Sequence, residues 1–277
     1  MNSTKAAPRR GALATVLLLV ATALVWTAAQ APARVEAAGE TIISTFYVPL
    51  FEDNARAALF GVNGGTGTAL SSTTSITVGA TGAIIYYDHW EDAYEALPNV
   101  KVQPSTLVFG DGNIANGNAA DYCVPARCAG DNLPAGAVLR LNNSSPSSVV
   151  PGSIATPRLP AIVVFDGRDK ISSTDGLAVT HATWPTLINA LHSEMAAAFD
   201  TSRWGISFRA PVGTNTPAQG AGSASFTYSG IEVMAREANT LVQIDINNDG
   251  DFLDVVDINT TINEGQTVYV NGGVLQG

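Results

Sequence analysis

Apolar and polar residues alternate along this chain in short runs. "TIISTFYVPL", "SITVGATGAIIYYD", "GAVLRLN", "AIVVFDG", "GLAVTHA", "GISFRAP", "ASFTYSGIEVMA", "TLVQIDIN" and "GQTVYVNGG" follow one another, and Gly, Pro, Asn or Ser bounds nearly every one. A period of two marks a half-buried strand, because successive side chains point to opposite faces. Many short strands with such punctuation predict an all-β fold, an antiparallel β-sandwich. One stretch departs from the pattern. In "WPTLINALHSEMAAAF" the residues Leu187, Leu191, Met195 and Phe199 recur every four positions. Pro185 can open a helix, so a short helix is predicted over 185–198.

Three pairs of segments recur in the same order, which points to two degenerate tandem repeats. "FYVP" at 46–49 matches "FRAP" at 208–211, and "ITVGATGAIIYYD" ending at Asp88 matches "IEVMAREANTLVQID" ending at Asp245. "LPAGAVLRLNN" at 133–143 matches "INEGQTVYVNG" at 262–272. The expected layout is a first sandwich repeat at 39–145 with a long insertion at 89–132, connecting strands and the helix at 146–200, and a second repeat at 201–277. "TVYVNGGVLQG" stops inside a strand-rich pattern, so the sequence reads as the front part of a longer protein.

The succession of "STFYVPLFEDN", "GISFRAPVGTN", "MAREANTLVQIDINNDGD" and "INEGQTVYVNGGVLQG" resembles the β-rich repeats of the IgGFc-binding-protein N-terminal type. Such repeats occur in large secreted and cell-surface proteins. The resemblance implies a β-sandwich adhesion or matrix module without known catalysis. It does not carry over immunoglobulin binding, for which no specifying residues are identifiable, and it does not account for "YYDHWED".

At the N-terminus, Lys5, Arg9 and Arg10 precede an apolar run and then small residues. That order is a secretory signal peptide, expected over 1–38, and it places the protein outside the cell or on its surface. Removing 1–38 takes away Lys5, Arg9, Arg10, Arg34 and Glu36, leaving 10 basic and 23 acidic residues. So acidic a chain repels nucleic acid and anionic lipid, which excludes both as partners, with no membrane insertion after cleavage of the signal. Cys123 and Cys128, the only cysteines, are expected to pair in the oxidising exterior.

Two acidic clusters remain as candidate sites. In "DINNDGD" the residues Asp245, Asn247, Asp249 and Asp251 are spaced by two around Gly250, with Asp254 beyond. This is the opening of a calcium loop of EF-hand type, although its last ligand would fall on Val256, and Asp254 or Asp257 would have to reach round. The same letters also make a good polar hairpin turn. Repulsion among four carboxylates favours the ion, so calcium is expected at Asp245, Asn247, Asp249, Asp251 and Asp254. The second cluster is "YYDHWEDAYE" at 86–95. An extended chain there sets Asp88, Trp90 and Asp92 on one face and Tyr87, His89 and Glu91 on the other. Aromatic rings beside carboxylates suit a sugar, and paired carboxyls suit glycoside hydrolysis. No nucleophile elbow, zinc-helix motif or phosphate loop is present, so no catalytic residue is assigned. The expectation is a calcium-stabilised surface or matrix module that binds an extracellular protein or glycan. The alternative is a secreted carbohydrate-binding or glycoside-hydrolysing protein built on Asp88, His89, Trp90, Glu91 and Asp92.

Overall fold

A computed structural model describes residues 41–50, 52, 54, 55, 57, 70–90, 93–95, 106–145, 165–185, 194–210 and 230–270. The expected signal segment 1–38, Glu91 and Asp92 lie outside the described residues. Strands dominate and all their pairings are antiparallel. Among the described residues no helix is long and apolar enough to cross a membrane.

Strands β1 (Ser44–Tyr47), β3 (Ile85–Asp88), β4 (Leu107–Phe109) and β6 (Lys170–Ser173) make one sheet in the order β1-β6-β3-β4. Strands β2 (Leu70–Val78), β5 (Val138–Ser145), β7 (Leu177–Pro185) and β8 (Glu194–Ala198) make another, in the order β5-β2-β7-β8. The alternation predicted from sequence is what joins them. Phe46, Ile85, Tyr87, Phe109 and Ile171 of the first sheet meet Ile76, Val78, Leu139, Leu141 and Val179 of the second in one buried cluster. Two open sheets facing each other across a common core form a sandwich-like body, and neither closes on itself. Strand β3 is buried on both faces, because Tyr86 packs outward against Ile84 and Val108. Cys123 and Cys128 are bonded to each other, and Cys123 bridges to Leu139 of β5. The expected insertion therefore supplies an edge strand, β4, and a stapled loop packed on the core.

The helix expected at 185–198 is corrected at both of its ends. Pro185 closes strand β7, and Glu194–Ala198 is strand β8, paired with Val179–Thr183. Backbone pairing to a formed sheet edge outweighs the local preference of an alanine run for helix. Residues 186–193 lie outside the described set.

The remaining strands, β9 (Ile231–Met234), β10 (Thr240–Ile244), β11 (Ile258–Ile262) and β12 (Thr267–Val270), form one long bent hairpin. β9 pairs with β12 and β10 with β11, and the register slips by one residue between the two ladders. An extra residue in one arm makes a bulge and bends the ribbon. All four strands contribute to a small apolar cluster of Val233, Ala235, Val242, Ile244, Ile262 and Val268.

Strands β2 to β5 nest in the same way, with β2 on β5 and β3 on β4. The turns leading into β5 and β12 also share their hydrogen bonds. Gly136 donates to Val78 at 2.8 Å, and Gly265 donates to Ala235 at 2.7 Å. Val78 donates to Ala137 at 2.9 Å, and Ala235 donates to Gln266 at 3.1 Å. Both glycines have positive φ, 73° and 68°.

Candidate functional site

The two acidic clusters have opposite surroundings. The first is built where β3 runs out. Asp88 and His89 are each 2 % exposed, and Asp166 and Asp169 are fully buried. The turn at 165–170 lies against Tyr87, His89 and Trp90 and engages their polar groups. Asp169 Oδ2 accepts from the Tyr87 hydroxyl at 2.8 Å and from the Asp166 N–H at 3.2 Å. The same oxygen lies 3.2 Å from His89 Nδ1, and Asp169 Oδ1 accepts from the Trp90 N–H at 3.4 Å. The Trp90 indole donates to Asp166 Oδ1 at 3.3 Å, while the Arg168 guanidinium stacks 4.0 Å above its ring. Burial and the nearby Asp169 carboxylate hold the Tyr87 hydroxyl well above its ordinary pKa.

Beside it, on the inner face of the second sheet, His181 sits fully buried in the middle of β7. Its ring nitrogens face the Thr74 hydroxyl at 2.9 Å and the Thr183 hydroxyl at 3.2 Å. Glu52 ties this patch to the acidic turn, accepting from the Ser72 hydroxyl and the Gly167 N–H, each at 2.8 Å. Burial lowers the His181 pKa below 6.5, against the opposing pull of Glu52, so the imidazole is neutral at pH 7. Glu52 is a residue the sequence reading missed. Nothing local marks it, since its partners lie at 72, 167 and 181.

Asp88 points the other way, to the outer face of the first sheet. There Tyr47, Lys170 and Asp88 stand side by side in register. Asp88 Oδ2 accepts from the Glu95 N–H at 3.1 Å, and Asp88 Oδ1 and Glu95 Oε2 are both buried. Desolvation first, and then the neighbouring Glu95 carboxyl, push the Asp88 pKa up to about 9, so Asp88 carries a proton at neutral pH.

The β11–β12 turn docks on this row. Glu264 Oε1 accepts from the Tyr47 hydroxyl at 2.5 Å and from Lys170 Nζ at 2.7 Å. Lys170 Nζ lies 5.8 Å from the Tyr47 ring centre and 5.3 Å from that of Tyr94. Arg168 Nε donates to the Gly265 carbonyl at 2.8 Å, and the Tyr94 ring occupies the space where a Cβ on Gly265 would stand. The glycine is thus required twice, by its φ and by the ring above it.

The second cluster is the tip of the long hairpin, 245–257, and it faces solvent. Its carboxylates bind their own backbone. Asp245 accepts from Asp249 N–H at 3.2 Å and Gly250 N–H at 3.0 Å, Asp249 from Asp251 N–H at 3.1 Å, and Asp251 from Leu253 N–H at 2.8 Å. Asn247 donates to Asp249 at 2.9 Å and to Asp254 at 2.7 Å. Asn248 and Gly250 take positive φ, 57° and 98°, and turn the loop. The Asp251 N–H and the Asn247 amide hold Asp249 below the usual carboxylate range, while the contact with Asp249 pushes Asp254 up. One oxygen each of Asp245, Asp249 and Asp257 lie within 4.8 Å of one another. Asp257 Oδ1 accepts from the Ile246 N–H at 2.9 Å, and its Oδ2 is buried with no hydrogen-bond partner. Of the five expected ligands, Asp245 and Asp249 converge with Asp257, Asn247 bridges Asp249 to Asp254, and Asp251 serves the turn. Hard oxygen donors at this spacing suit calcium and offer nothing to a soft metal.

Set against family models, curated proteins and solved structures, the chain matches none of them.

Proposed function

We propose that this chain is an exported, cell-surface or matrix binding module that holds a calcium ion at the tip of its long hairpin and performs no bond-breaking chemistry. The observation carrying this reading is the meeting of Asp245, Asp249 and Asp257, with the second oxygen of Asp257 buried and unsatisfied. A buried acceptor left unpaired is costly, and a divalent cation between three carboxylates satisfies it while cancelling their repulsion. Asp257 supplies the late carboxylate that Val256 cannot, one position beyond the EF-hand spacing. The signal segment and the resemblance to IgGFc-binding-protein N-terminal repeats support the extracellular setting, where millimolar calcium fills sites of roughly 10⁻⁴–10⁻³ M.

Carbohydrate chemistry at 86–95 is the weaker reading. Asp88 and His89 are buried, and Arg168 covers the Trp90 ring on which a sugar would stack. The nested pairing of β2–β5 and β9–β12, with its matching glycine turns, supports a duplicated scaffold. In that scaffold one hairpin is built into a core and the other carries the ion. Calorimetric titration of the calcium-free protein tests the proposal. Saturable heat that Asp249→Ala abolishes is expected, and no heat from the wild type overturns it.

A further inference from the structure

Of the thirteen large apolar side chains that the described residues leave exposed, eight fall in two stretches. One is the tip of the long hairpin, where Phe252, Leu253, Val255 and Val256 stand among the aspartates and Val255 is fully exposed. The other carries Met195, Phe199, Ile206 and Phe208, with Ile206 fully exposed. A lone apolar side chain in water is ordinary, but a group of them marks a contact surface. The two stretches also differ in charge. The tip has five aspartates, and after Arg236 no basic residue occurs as far as Gly277. From Thr201 to Ile231 the chain holds Arg203 and Arg209 and no acidic residue, an exception in a protein of formal charge −10. The basic stretch is held firmly. Asp200 caps the 3-10 turn at Thr201–Arg203 by accepting from the Ser202 N–H at 2.8 Å, and its other oxygen accepts from the Thr45 N–H at 2.9 Å. Phe208 folds back over Gly205, where a Cβ would meet its ring at 3.3 Å. Arg236, at the bend of the hairpin, donates to the Thr201 carbonyl at 2.9 Å. The tip stands five residue pairs beyond that bend, and the exposure of both stretches means that neither covers the other within one chain.

From these two surfaces we infer that the acidic apolar tip of one copy seats on the basic apolar stretch of a second copy, so that the protein joins head to tail. Burial of the facing apolar side chains drives the contact. Opposite charge selects the stretch around Arg203 and Arg209 over the rest of an acidic surface. Because the two surfaces differ, each contact leaves one tip and one stretch unused, and association continues as a chain. The contact does not need the calcium ion, since five aspartates outweigh one divalent charge. An anionic lipid surface suits the tip poorly, because like charges repel.

The test is sedimentation velocity of the protein without its expected signal segment, over a hundredfold range of concentration up to about 500 µM. A contact of a few side chains is a small interface, so dissociation constants on the order of 10–100 µM are expected. The average sedimentation coefficient should climb past the dimer value without a plateau. Two double variants, Leu253→Ser with Val255→Ser and Ile206→Ser with Phe208→Ser, should each weaken self-association about tenfold or more. All four side chains are exposed, and circular dichroism checks that both variants fold. An equal mixture of the two keeps one good tip and one good stretch, and should form a heterodimer that grows no further. A wild type that stays monomeric overturns the inference whatever the variants do, and whether or not its tip then sediments with phosphatidylcholine vesicles. A plateau at the dimer, or undiminished association of the Ile206→Ser, Phe208→Ser variant, would reveal a tip-to-tip contact and overturns it as well.

Discussion

The acidic cluster at 86–95 with 165–170 and the one at 245–257 are both built around aspartates and meet opposite fates. In the first, Asp169 is fully buried and gathers four partners, three from residues 87–90 and one from its own turn. In the second, Asp245, Asp249 and Asp251 take backbone N–H groups from within their own loop. Long-range donors make a carboxylate part of the core, so its removal strands them in a place water does not reach. Short-range donors shape a turn and leave the outer oxygens to solvent or an ion. Acidity alone does not separate the two, but the sequence distance to the donors does.

Substitutions at the two places should therefore behave differently, and the largest effect belongs to Asp169. Asp169→Ala leaves the Tyr87 hydroxyl, the His89 ring and two N–H groups without their acceptor, and should cost about 3–5 kcal/mol in urea unfolding. A loss under 1 kcal/mol would dissolve the contrast. Next comes Asp88, whose folded pKa of about 9 stands above its ordinary 3.8. The native state holds this proton more tightly, so its stabilisation is full below pH 4 and drains away as pH rises toward 9. The slope is at most about 1.4 kcal/mol per pH unit for one proton. Asp88→Asn should flatten the melting temperature between pH 5 and 9, and an unchanged slope would mean that Asp88 is not protonated at neutral pH.

Gly265→Ala forces a methyl into the Tyr94 ring at a φ of 68°, and should cost about 1–3 kcal/mol while leaving the sandwich strands protected in hydrogen exchange. Smallest is Asp249→Ala in calcium-free buffer, where the melting temperature should move by no more than about 2 °C. Calcium should raise the melting point of the wild type alone. A large calcium-free loss would mean that the tip is structural.

Much of this fold is legible from alternation, because strands with one buried face announce themselves. β2 buries Leu70, Ser72, Thr74, Ile76 and Val78, and β7 buries Val179, His181 and Thr183, each at every second place. The disulfide was readable from cysteine count and setting, and the acidic tip from its spacing. The stretch at 194–198 misled because Met195 and Phe199 continue a helical stripe, yet both are mainly exposed, 80 % and 61 %. What holds that stretch is its hydrogen-bonded neighbour in β7, a partner no local window contains. The Asp169 hub was invisible for the same reason. "FDGRDK" reads as a turn with local ion pairs, and its role emerges only when Tyr87, His89 and Glu52 arrive from elsewhere.

The bent hairpin has a mechanical side. Beyond the docked Glu264–Gly265 turn, the arm consists of the five residue pairs from Thr240↔Ile262 to Ile244↔Ile258, about 17 Å of two-stranded ribbon. A force that spreads the two strands apart at the loop would open those pairs one after another, the weak direction for any zipper. Asp245 and Asp257 stand immediately outside the last pair, one on each strand. An ion held by both would clasp the two strands where the loop begins, so that a force spreading them would load coordination bonds before it reached the first rung.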